Sequence, residues 1–531
     1  MKRFKRPFYS VIALTVAVGL AACTSDEPDE NTGGSPDGGE ATGEGGDLVI
    51  AMQSEISGFD PHQVNDVPSG QVQNQVFEGL VAFDEDMNIE ERLAESYEAV
   101  DNTLTFKLRE GIQFHDGEAF NAEAVKTNIE RITDEDIASQ RAFLFEEITE
   151  INVLDEYEIE FVTEEPFAPL IFSFAHSGGN MISPAVIEED YAAMEDGEQP
   201  FTAVNANPAG TGYFKYESGG IGTEIVLSKN EDYWGETALL DTVTFKVVPD
   251  GNTRVAEVST GDSHVIEPLD VSAIPQLEST DGASMLETQS ISASYFGFNT
   301  EKEPFDNPDV RRAIAMAIDN EVILDNIWEG HGIVANGPIA PGVVGYDESI
   351  SPIEFDPEGA RELLEEAGAE DLSISLMTND SEARLDIATY IESALSDVGI
   401  NVTINSSDFP TYLEATANGE HEMYILGWSS ATGDADYALA PLFHTDNHGT
   451  AGNRSFYSNP ELDQLLEDAA QEIDEDTRAE MYKEAQEIIV NDAPVVFSYY
   501  QEYLNGVRDE VKGFKRSMTG DILLQETYIE Q

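Results

Sequence analysis

The sequence predicts α/β domains with mixed sheets. From residue 47 onward, short patterns typical of buried strands alternate with helical patterns, and alternation on this scale is typical of α/β architecture. The chain has 531 residues, which at roughly 150 residues per domain suggests about three domains, or two with one of them discontinuous. Apolar residues make up 41% of the chain, which is enough for a packed core.

Individual segments support this alternation. Apolar runs, or a period-two alternation of apolar and polar residues, predict strands at 48–52, 104–108, 400–404 and 423–426. Capping residues, a periodic apolar face and stop residues predict helices at 308–318, 357–367, 381–398 and about 461–490. There is no short internal repeat in the sequence, which argues against a solenoid or a propeller.

The charge of the chain excludes some partners and indicates an environment. There are 105 Asp and Glu residues against 26 Lys and Arg residues, a net charge of −79. Nucleic acid is excluded as a partner because phosphate binding needs an excess of basic residues. Molar salt shortens the Debye length to about 3 Å and screens the repulsion between carboxylates. The composition therefore predicts a halophilic protein, folded in brine.

The amino terminus has the three parts of an export signal. Four basic residues within the first six precede an apolar stretch at 11–20, which is shorter than the roughly 20 residues that span a bilayer. Leu20-Ala21-Ala22 leads into Cys23, an arrangement that resembles a bacterial lipobox, in which the cysteine is lipidated. We predict a lipoprotein signal peptide at 1–22 and lipidation at Cys23. Ordinary secretion with an incidental cysteine is the alternative.

The segment that follows predicts a tether. Residues 23–46 are acidic, rich in Gly and without periodicity, so they cannot bury apolar surface. No later apolar run in the sequence is long enough to cross a membrane. We expect an exported globular body anchored through lipid to the outer face of the cytoplasmic membrane, on the extracellular or periplasmic side.

No enzyme signature is present in the sequence. The G-x-S-x-G elbow, the phosphate-binding loop and the dinucleotide fingerprint are all missing. His421-Glu422 begins like a zinc-protease motif, but Ile425 stands where the second His is required. The eight histidines are scattered without convincing ligand spacing. We predict no catalytic residue, no metal and no cofactor.

A series of motifs occurs in a fixed order along the chain. They lie at 93–97, 104–117, 210–214, 230–234, 298–299, 304–313 and 456–460. Together they resemble the pattern of the peptide-binding lipoproteins of ABC importers, a family that includes dipeptide-, oligopeptide-, nickel- and glutathione-binding members. The stretch GWSSATGDADYAL at 427–439 resembles the glutathione-binding members in particular. Tyr213 departs from the pattern, which usually has Pro at that position.

The resemblance implies a fold and its boundaries. It implies a two-lobe periplasmic-binding-protein fold with mixed sheets, a two-strand hinge and an extra domain inserted in lobe one. By analogy, lobe one comprises 47–85, 196–290 and 496–531, the inserted domain 86–195, and lobe two 291–495. The chain would cross between the lobes near 290–299 and return near 494–500. Closure of lobes around a ligand is a known hinge mechanism.

The resemblance also implies a function. It implies an extracytoplasmic substrate-binding protein, not an enzyme, that captures a short or glutathione-like peptide and delivers it to the permease and ATPase subunits of an ABC importer. We expect a monomer. A nickel- or haem-binding member of the same fold, a secreted hydrolase with an unrecognised site and a receptor that senses peptides are the alternatives.

The segment after residue 426 supplies candidate ligand-binding residues. Trp428 follows a predicted buried strand, where its ring would flank a ligand or pack between lobes, and Ser429 and Ser430 would offer hydrogen bonds to an extended peptide. The resemblance implies an acid three positions after the Trp, to hold the α-ammonium of the ligand, but this chain has Ala431. Asp434 or Asp436 would replace that acid, or would cap the following helix.

Further candidates come from scarce arginines and from the predicted hinge. A peptide carboxylate buried in a cleft needs a cation, for which Arg offers a bidentate fork. Arg384 and Arg454 in the predicted second lobe are the candidates, although each could instead neutralise acidic surface. Tyr499 and Tyr500 lie at the predicted return crossing, where they would line the cleft or only wedge it.

The charge predicts how stability depends on salt. Because the carboxylates repel one another in dilute buffer, we expect cooperative folding only at high salt. A thermal unfolding series from dilute buffer to molar NaCl should show a rising melting temperature. A melting temperature that does not rise over this range would contradict the prediction.

Overall fold

The structure is a computed structural model that describes residues 45–64, 66–369, 371–449 and 452–530. Residues 1–22 and Cys23, predicted to form the signal peptide and the lipidation site, lie outside the described residues, as does nearly all of the predicted tether. Within the part that is described, no helix has both the length and the apolar character needed to cross a membrane.

Strands and helices alternate along the described residues. The strands are β1 (Asp47–Met52), β2 (Val81–Phe83), β3 (Ile89–Glu91), β4 (Ala94–Val100), β5 (Thr103–Leu108), β6 (Ile148–Asp155), β7 (Glu158–Thr163), β8 (Phe214–Ser218), β9 (Ile225–Lys229), β10 (Thr242–Val247), β11 (Val265–Glu267), β12 (Ala283–Phe298), β13 (Ile333–Val334), β14 (Ser373–Asn379), β15 (Asn401–Ser407), β16 (Met423–Ser429), β17 (Val495–Arg508), β18 (Val511–Lys512), β19 (Lys515–Arg516), β20 (Ile522–Leu523) and β21 (Tyr528–Ile529). The helices are α1 (Val67–Val76), α2 (Ala122–Thr133), α3 (Leu170–Ala175), α4 (Pro184–Glu195), α5 (Thr202–Ala206), α6 (Gly251–Thr260), α7 (Ile274–Glu278), α8 (Pro308–Met316), α9 (Asn320–Ile327), α10 (Pro357–Glu366), α11 (Glu382–Asp397), α12 (Phe409–Ala417), α13 (Ala435–Phe443), α14 (Pro460–Gln471) and α15 (Glu475–Asp492).

The main sheet of the described residues has eleven strands. Ten of them follow the order β15-β14-β16-β12-β17-β11-β1-β10-β9-β8, and β13 pairs with β17 as well. We call β8, β9, β10, β1 and β11, with the segments packed on them, the first half; in it, β1 is parallel to β10 and β11. We call β14, β15 and β16, with the segments packed on them, the second half; in it, β14 is parallel to β15 and β16. The sheet is therefore mixed, with two parallel groups separated by antiparallel strands.

Two long antiparallel strands, β12 and β17, connect the two halves. Residues 283–289 of β12 pair with 502–508 of β17, and residues 293–297 pair with 495–500. The register shifts between Gln289 and Ala293, so the regular ladder is interrupted where the chain passes from one half to the other. Below we call this interruption the crossing.

A smaller sheet lies outside the main one. Its order is β4-β5-β7-β6, and all its pairs are antiparallel. Alternate residues of β5 and β7 are buried, and their aromatic rings pack around Phe174, with centroid distances of 4.9 Å for Phe106 and 4.7 Å for Phe161. This sheet therefore has a core of its own.

Helix starts follow the local sequence. Asn307 caps α8 and Asp356 caps α10, each followed by Pro at the first helical position, which confirms the two starts predicted from these dipeptides. The single long helical pattern predicted at about 461–490 is wrong, because the chain forms α14 and α15 there. Asp474 accepts a hydrogen bond from the Thr477 backbone N–H and so begins a second helix inside the pattern.

A buried ion-pair network ties α2 to distant parts of the chain. Arg131 on α2 is fully buried and donates to Asp60 (Nη2–Oδ2, 2.7 Å) and to Asp190 (Nη2–Oδ2, 2.8 Å), both of which are also fully buried. Its Nη1 lies 2.9 Å from Nδ1 of His62, which is buried as well. Because one cation serves two buried carboxylates, the network depends on Arg131.

We expect Arg131→Met to destabilise the protein by about 3–5 kcal/mol, because it leaves two carboxylates buried without their cation. Chemical unfolding at molar salt measures the change. Arg312→Met is the matched control, since Arg312 is exposed and its loss should change stability by less than about 0.5 kcal/mol. Equal stability of the two variants would contradict the structural role of Arg131.

Candidate functional site

The carboxyl ends of the parallel strands in both halves point towards the crossing. In the second half, the last residue of β16, Ser429, pairs with Ser292 at the crossing. In the first half, β11 runs antiparallel to β17 and so ends on the crossing side, as does its parallel neighbour β1. Ligands of open α/β sheets bind outside the carboxyl ends of the strands. The space between the halves is therefore the expected binding region.

A cavity of about 160 Å³ lies in this region, and we call it the crevice. Its wall combines residues of three parts of the chain: the first half, the segment that carries the smaller sheet, and the loop after β16. Its polar and aromatic wall residues include Asn74, Glu78, Arg92, His176, Ser177, Asn180, Tyr213, Thr519 and Asp521, joined by Ala431. Ala431 is the position at which the resemblance implied an acid, so the structure places that position at the crevice.

Two carboxylates of the first half line the crevice. Glu78 accepts hydrogen bonds from the Tyr233 hydroxyl (2.6 Å), the Trp234 indole N–H (2.9 Å) and the Thr211 hydroxyl (2.8 Å). Burial raises the pKa of Glu78 above its usual range, although these three hydrogen bonds oppose the rise. The carboxylate of Glu78 is therefore already bonded to donors of the protein.

Asp521 is the second of these carboxylates, and it is less fully bonded. Its Oδ1 accepts from the Asn74 amide (2.6 Å) and its Oδ2 from the Thr519 hydroxyl (2.8 Å). Burial raises its pKa, against the hydrogen bonds from Thr519 and Asn74. Each oxygen thus keeps a lone pair for a ligand. The sequence offered no signal for Asp521 among 105 acidic residues.

The structure places Trp428 half-buried at the end of β16. Its indole N–H donates to the Tyr437 carbonyl oxygen (2.8 Å), and its ring lies 5.3 Å from the Tyr437 ring. Tyr437 in turn stacks on Phe143, with centroids 5.5 Å apart and an interplanar angle of 12°. Trp428 therefore belongs to an aromatic stack that joins the second half to the segment before β6.

The two serines and the two acids after Trp428 have different surroundings. Ser429 is partly exposed, while Ser430 is 2% exposed and its N–H donates to the Ile291 carbonyl (3.1 Å). Asp434 is fully buried, caps α13 by accepting from the Asp436 N–H, and accepts from both terminal nitrogens of Arg478 (2.7 and 2.6 Å). Its two oxygens are thus occupied by an internal ion pair.

Asp436 lies in the first turn of α13 and is partly exposed. Burial, followed by the negative charge of Asp434, raises the pKa of Asp436 to about 7. Neither Asp434 nor Asp436 belongs to the described wall of the crevice. The role predicted for them, binding of a ligand ammonium, stays a prediction.

Arg384 contacts the start of α12, and Arg454 contacts its end. Arg384 donates to the Asn379 side chain (3.2 Å) and lies 5.8 Å from the centre of the Phe409 ring, while Arg454 donates to the Thr416 hydroxyl (3.2 Å). Both are half-buried, and neither has a carboxylate partner within 4.0 Å among the residues described. Burial raises the pKa of Tyr412 on α12, and the two arginine charges oppose the rise.

Tyr499 and Tyr500 are packed beside the crossing. Their exposed fractions are 2% and 1%. The Tyr500 hydroxyl donates to the Asn336 side-chain oxygen (2.7 Å), and the Tyr499 ring lies 5.4 Å from the Trp328 ring. The structure therefore gives both tyrosines packing contacts around β17.

One group within the described ranges could hold a metal ion. Glu287 on β12, Glu502 on β17 and His331 bring their ligand atoms within 4.8 Å of one another. Burial, followed by the hydrogen bond and the charge of Glu287, raises the pKa of Glu502 to about 7. These residues lie near the crossing and not in the wall of the crevice.

A larger cavity of about 580 Å³ lies between the smaller sheet and α14–α15. Its wall includes Tyr97, Leu104, Ile473 and Tyr482. Arg478 also reaches it, but this cation already pairs with Asp434. Because this cavity lies away from the carboxyl ends of the main-sheet strands, the crevice remains the better candidate for ligand binding.

Comparisons with known proteins give the family. A family model described as bacterial extracellular solute-binding proteins, family 5 Middle, matches residues 88–450. The glutathione-binding protein GsiB of Pectobacterium atrosepticum is 32% identical over 479 residues, which cover 88% of this chain and 91% of the relative. The protein of the same name from Escherichia coli (strain K12) is 31% identical with the same coverage.

Solved structures agree with this result. The periplasmic binding protein DppA of Helicobacter pylori, in complex with the peptide STSA, has a TM-score of 0.79 and 30% identity, covering 92% of this chain and 99% of that chain. HbpA2 of Haemophilus parasuis has a TM-score of 0.80 and 26% identity, covering 92% and 100%. These findings confirm the family and the periplasmic-binding-protein fold expected from the motifs. The chain belongs to the bacterial extracellular solute-binding proteins of family 5.

Proposed function

We propose that this protein captures short peptides, including glutathione-like peptides, outside the cytoplasm and delivers them to the permease and ATPase subunits of an ABC importer. The observation that carries the proposal is the crevice, whose wall brings segments of the first half together with Ala431, in the loop that follows β16. The similarity to proteins named as glutathione-binding, and to one solved with a peptide, supports this ligand class.

The mechanism involves no bond chemistry. A ligand that touches Asp521 on one side and the loop at Ala431 on the other favours the arrangement in which both sides are close. The strands β12 and β17 connect the halves at the crossing, where their ladder is interrupted, which suits hinge movement there. The permease would then recognise the closed form.

We propose that Asp521 holds the ammonium group of the ligand. Ala431 has only a methyl group, Asp434 is occupied by Arg478, and Glu78 already accepts three hydrogen bonds. Asp521 lines the same cavity as Ala431 and has acceptor capacity left on both oxygens. The acid thus lies on the opposite side of the crevice from the position that the resemblance implied.

Several predictions from the sequence remain part of the proposal. Arg384 and Arg454 are available cations near α12, and Trp428, Ser429 and Ser430 lie at the end of β16. Anchoring through lipid at Cys23, the monomeric state and the domain boundaries given above also belong to it.

Calorimetry and native mass spectrometry at molar salt test the function. The panel consists of glutathione, dipeptides, pentapeptides and Ni²⁺, and we expect one of the peptide classes to bind and to be recovered intact. Cleavage products would favour a hydrolase. Binding of Ni²⁺ alone would favour a metal carrier, with Glu287, His331 and Glu502 as its first candidates.

Asp521→Asn should weaken peptide binding by about 10- to 100-fold, because a charge-assisted hydrogen bond to the ammonium is lost. Affinity for the unaltered protein should fall as the pH is lowered through the raised pKa of Asp521, since a protonated carboxyl group cannot pair with an ammonium. The Asn variant should lose this pH dependence. Calorimetric titrations across the acidic range measure both effects.

Asp325→Asn is the matched control, since Asp325 is an exposed acid on α9. It should leave both the affinity and its pH dependence unchanged. If Asp521→Asn binds peptides as tightly as the control does at every pH, Asp521 does not hold the ammonium.

A further inference from the structure

Arg141 lies against the wall of the crevice. It precedes a 3₁₀ turn (Ala142–Leu144) in the segment between α2 and β6, and only 7% of it is exposed. Its aliphatic stem covers Gly178 so closely that a Cβ atom at Gly178 would lie 2.9 Å from Arg141 Cγ and Cδ. The neighbouring residues His176 and Ser177 line the crevice.

The guanidinium of Arg141 has no protein partner among the residues that the structure describes. It makes no hydrogen bond or ion pair there, and its Nε is buried without an acceptor. The other buried arginines each pair with a carboxylate or, in the case of Arg311, donate to backbone carbonyls, although the Nε of Arg131 and of Arg516 also lacks an acceptor. They are Arg131, Arg254, Arg311, Arg478 and Arg516.

The charge of Arg141 therefore has no directly paired acid among the described residues. Burial lowers the pKa of Arg141 to about 10, and the groups that oppose this are Tyr437 and Asp66. Burial, followed by the charge of Arg141, lowers the pKa of His176 well below its usual range, so that histidine is neutral and adds no charge. A buried cation without a partner is costly, and it is a strong site for an anion.

The surroundings of Arg141 connect it with the second half. Phe143, two residues further on, stacks on Tyr437 of α13, and Tyr437 contacts Trp428. A group bound at Arg141 therefore lies near the aromatic stack of Phe143, Tyr437 and Trp428, which joins this segment to the second half. An anion placed there would interact with elements on both sides of the crevice.

We infer that Arg141 binds a carboxylate group of the peptide ligand. The inference rests on the proposed function and names the residue for one end of the ligand, opposite in charge to the end held by Asp521. The planar guanidinium can offer two parallel N–H donors to one carboxylate. In the absence of ligand, the same cation lowers the stability of the protein.

Calorimetry on the full chain at molar salt tests this, with glutathione and Ala-Ala-Ala as probes, each compared with its carboxyl-terminal amide. The unaltered protein should bind the free acid at least tenfold more tightly than the amide. Arg141→Met should lose this preference while it keeps the affinity for the amide. Arg312→Met, at an exposed position outside the proposed site, is the matched control and should retain the preference. Arg384→Met is tested beside it because Arg384 is the rival cation.

The two proposals fail in distinguishable ways. If the unaltered protein binds none of the peptides, the proposed function falls and the inference with it. If it binds acid and amide equally, or if the preference survives in Arg141→Met, the inference alone is overturned. Loss of the preference in Arg384→Met but not in Arg141→Met would assign the carboxylate to Arg384 instead.

Thermal unfolding without ligand provides a second measurement. Removing an uncompensated buried charge should raise the melting temperature of Arg141→Met, whereas Arg131→Met, which loses a paired cation from the same region, should show a lower one. A fall for Arg141→Met similar to that of Arg131→Met would show that Arg141 is a structural residue and would overturn the inference.

Discussion

The pairing of β12 with β17 is the constraint on which the rest of the structure depends. These two strands are shared by both halves of the main sheet, so they fix the edge at which each parallel group ends. The ladder between them is interrupted between Gln289 and Ala293, and the Ser290 hydroxyl donates to the Gln501 carbonyl there (2.8 Å). A side-chain hydrogen bond thus takes the place of part of the backbone ladder at the crossing, and the crevice lies where a hinge there would open and close it.

The chain has few basic residues, 26 against 105 acidic ones, so the positions of its buried arginines are informative. Arg131 joins α2 to Asp60 and Asp190, and Arg478 joins α15 to the start of α13, so each fixes segments that are far apart in sequence. Arg141 departs from this pattern, because its guanidinium contacts neither a carboxylate nor a backbone carbonyl among the described residues, and this is why we assign it a ligand.

The sequence could predict what depends on neighbouring residues. Asn307-Pro308 and Asp356-Pro357 begin helices because capping and the geometry of Pro are local. The run at 423–426 became β16 because an apolar segment of that length fits a buried strand. The prediction of one helix at 461–490 was wrong because the apolar face keeps its periodicity across the break between two helices. A single capping aspartate, Asp474, begins the second helix.

The site was less accessible to sequence reasoning. The motif around Trp428 located the loop after β16, and Ala431 was recognised there as a departure from the family pattern. Asp521 and Arg141 could not be found in this way, because the first is one acid among many and the second differs from other arginines only in what it does not contact. Asp521 meets Asn74 in the wall of the crevice across 447 positions of sequence, and Arg141 packs on Gly178 beside that wall. No local pattern records either contact.

Recognition and solubility make different demands on charge in such a protein. In the brine that the composition predicts, the Debye length is about 3 Å, so the acidic surface neither attracts nor repels a charged ligand over a distance. Selection of a ligand then depends on groups that are desolvated and therefore little screened. Asp521 and Arg141 meet this condition because burial has already shifted the pKa of each away from its usual range. A zwitterionic ligand gains binding free energy from both groups at once, whereas a ligand with a single charge leaves one of the two groups without a counter-charge. In our proposal, the two groups together would thereby favour peptides over the salts around them.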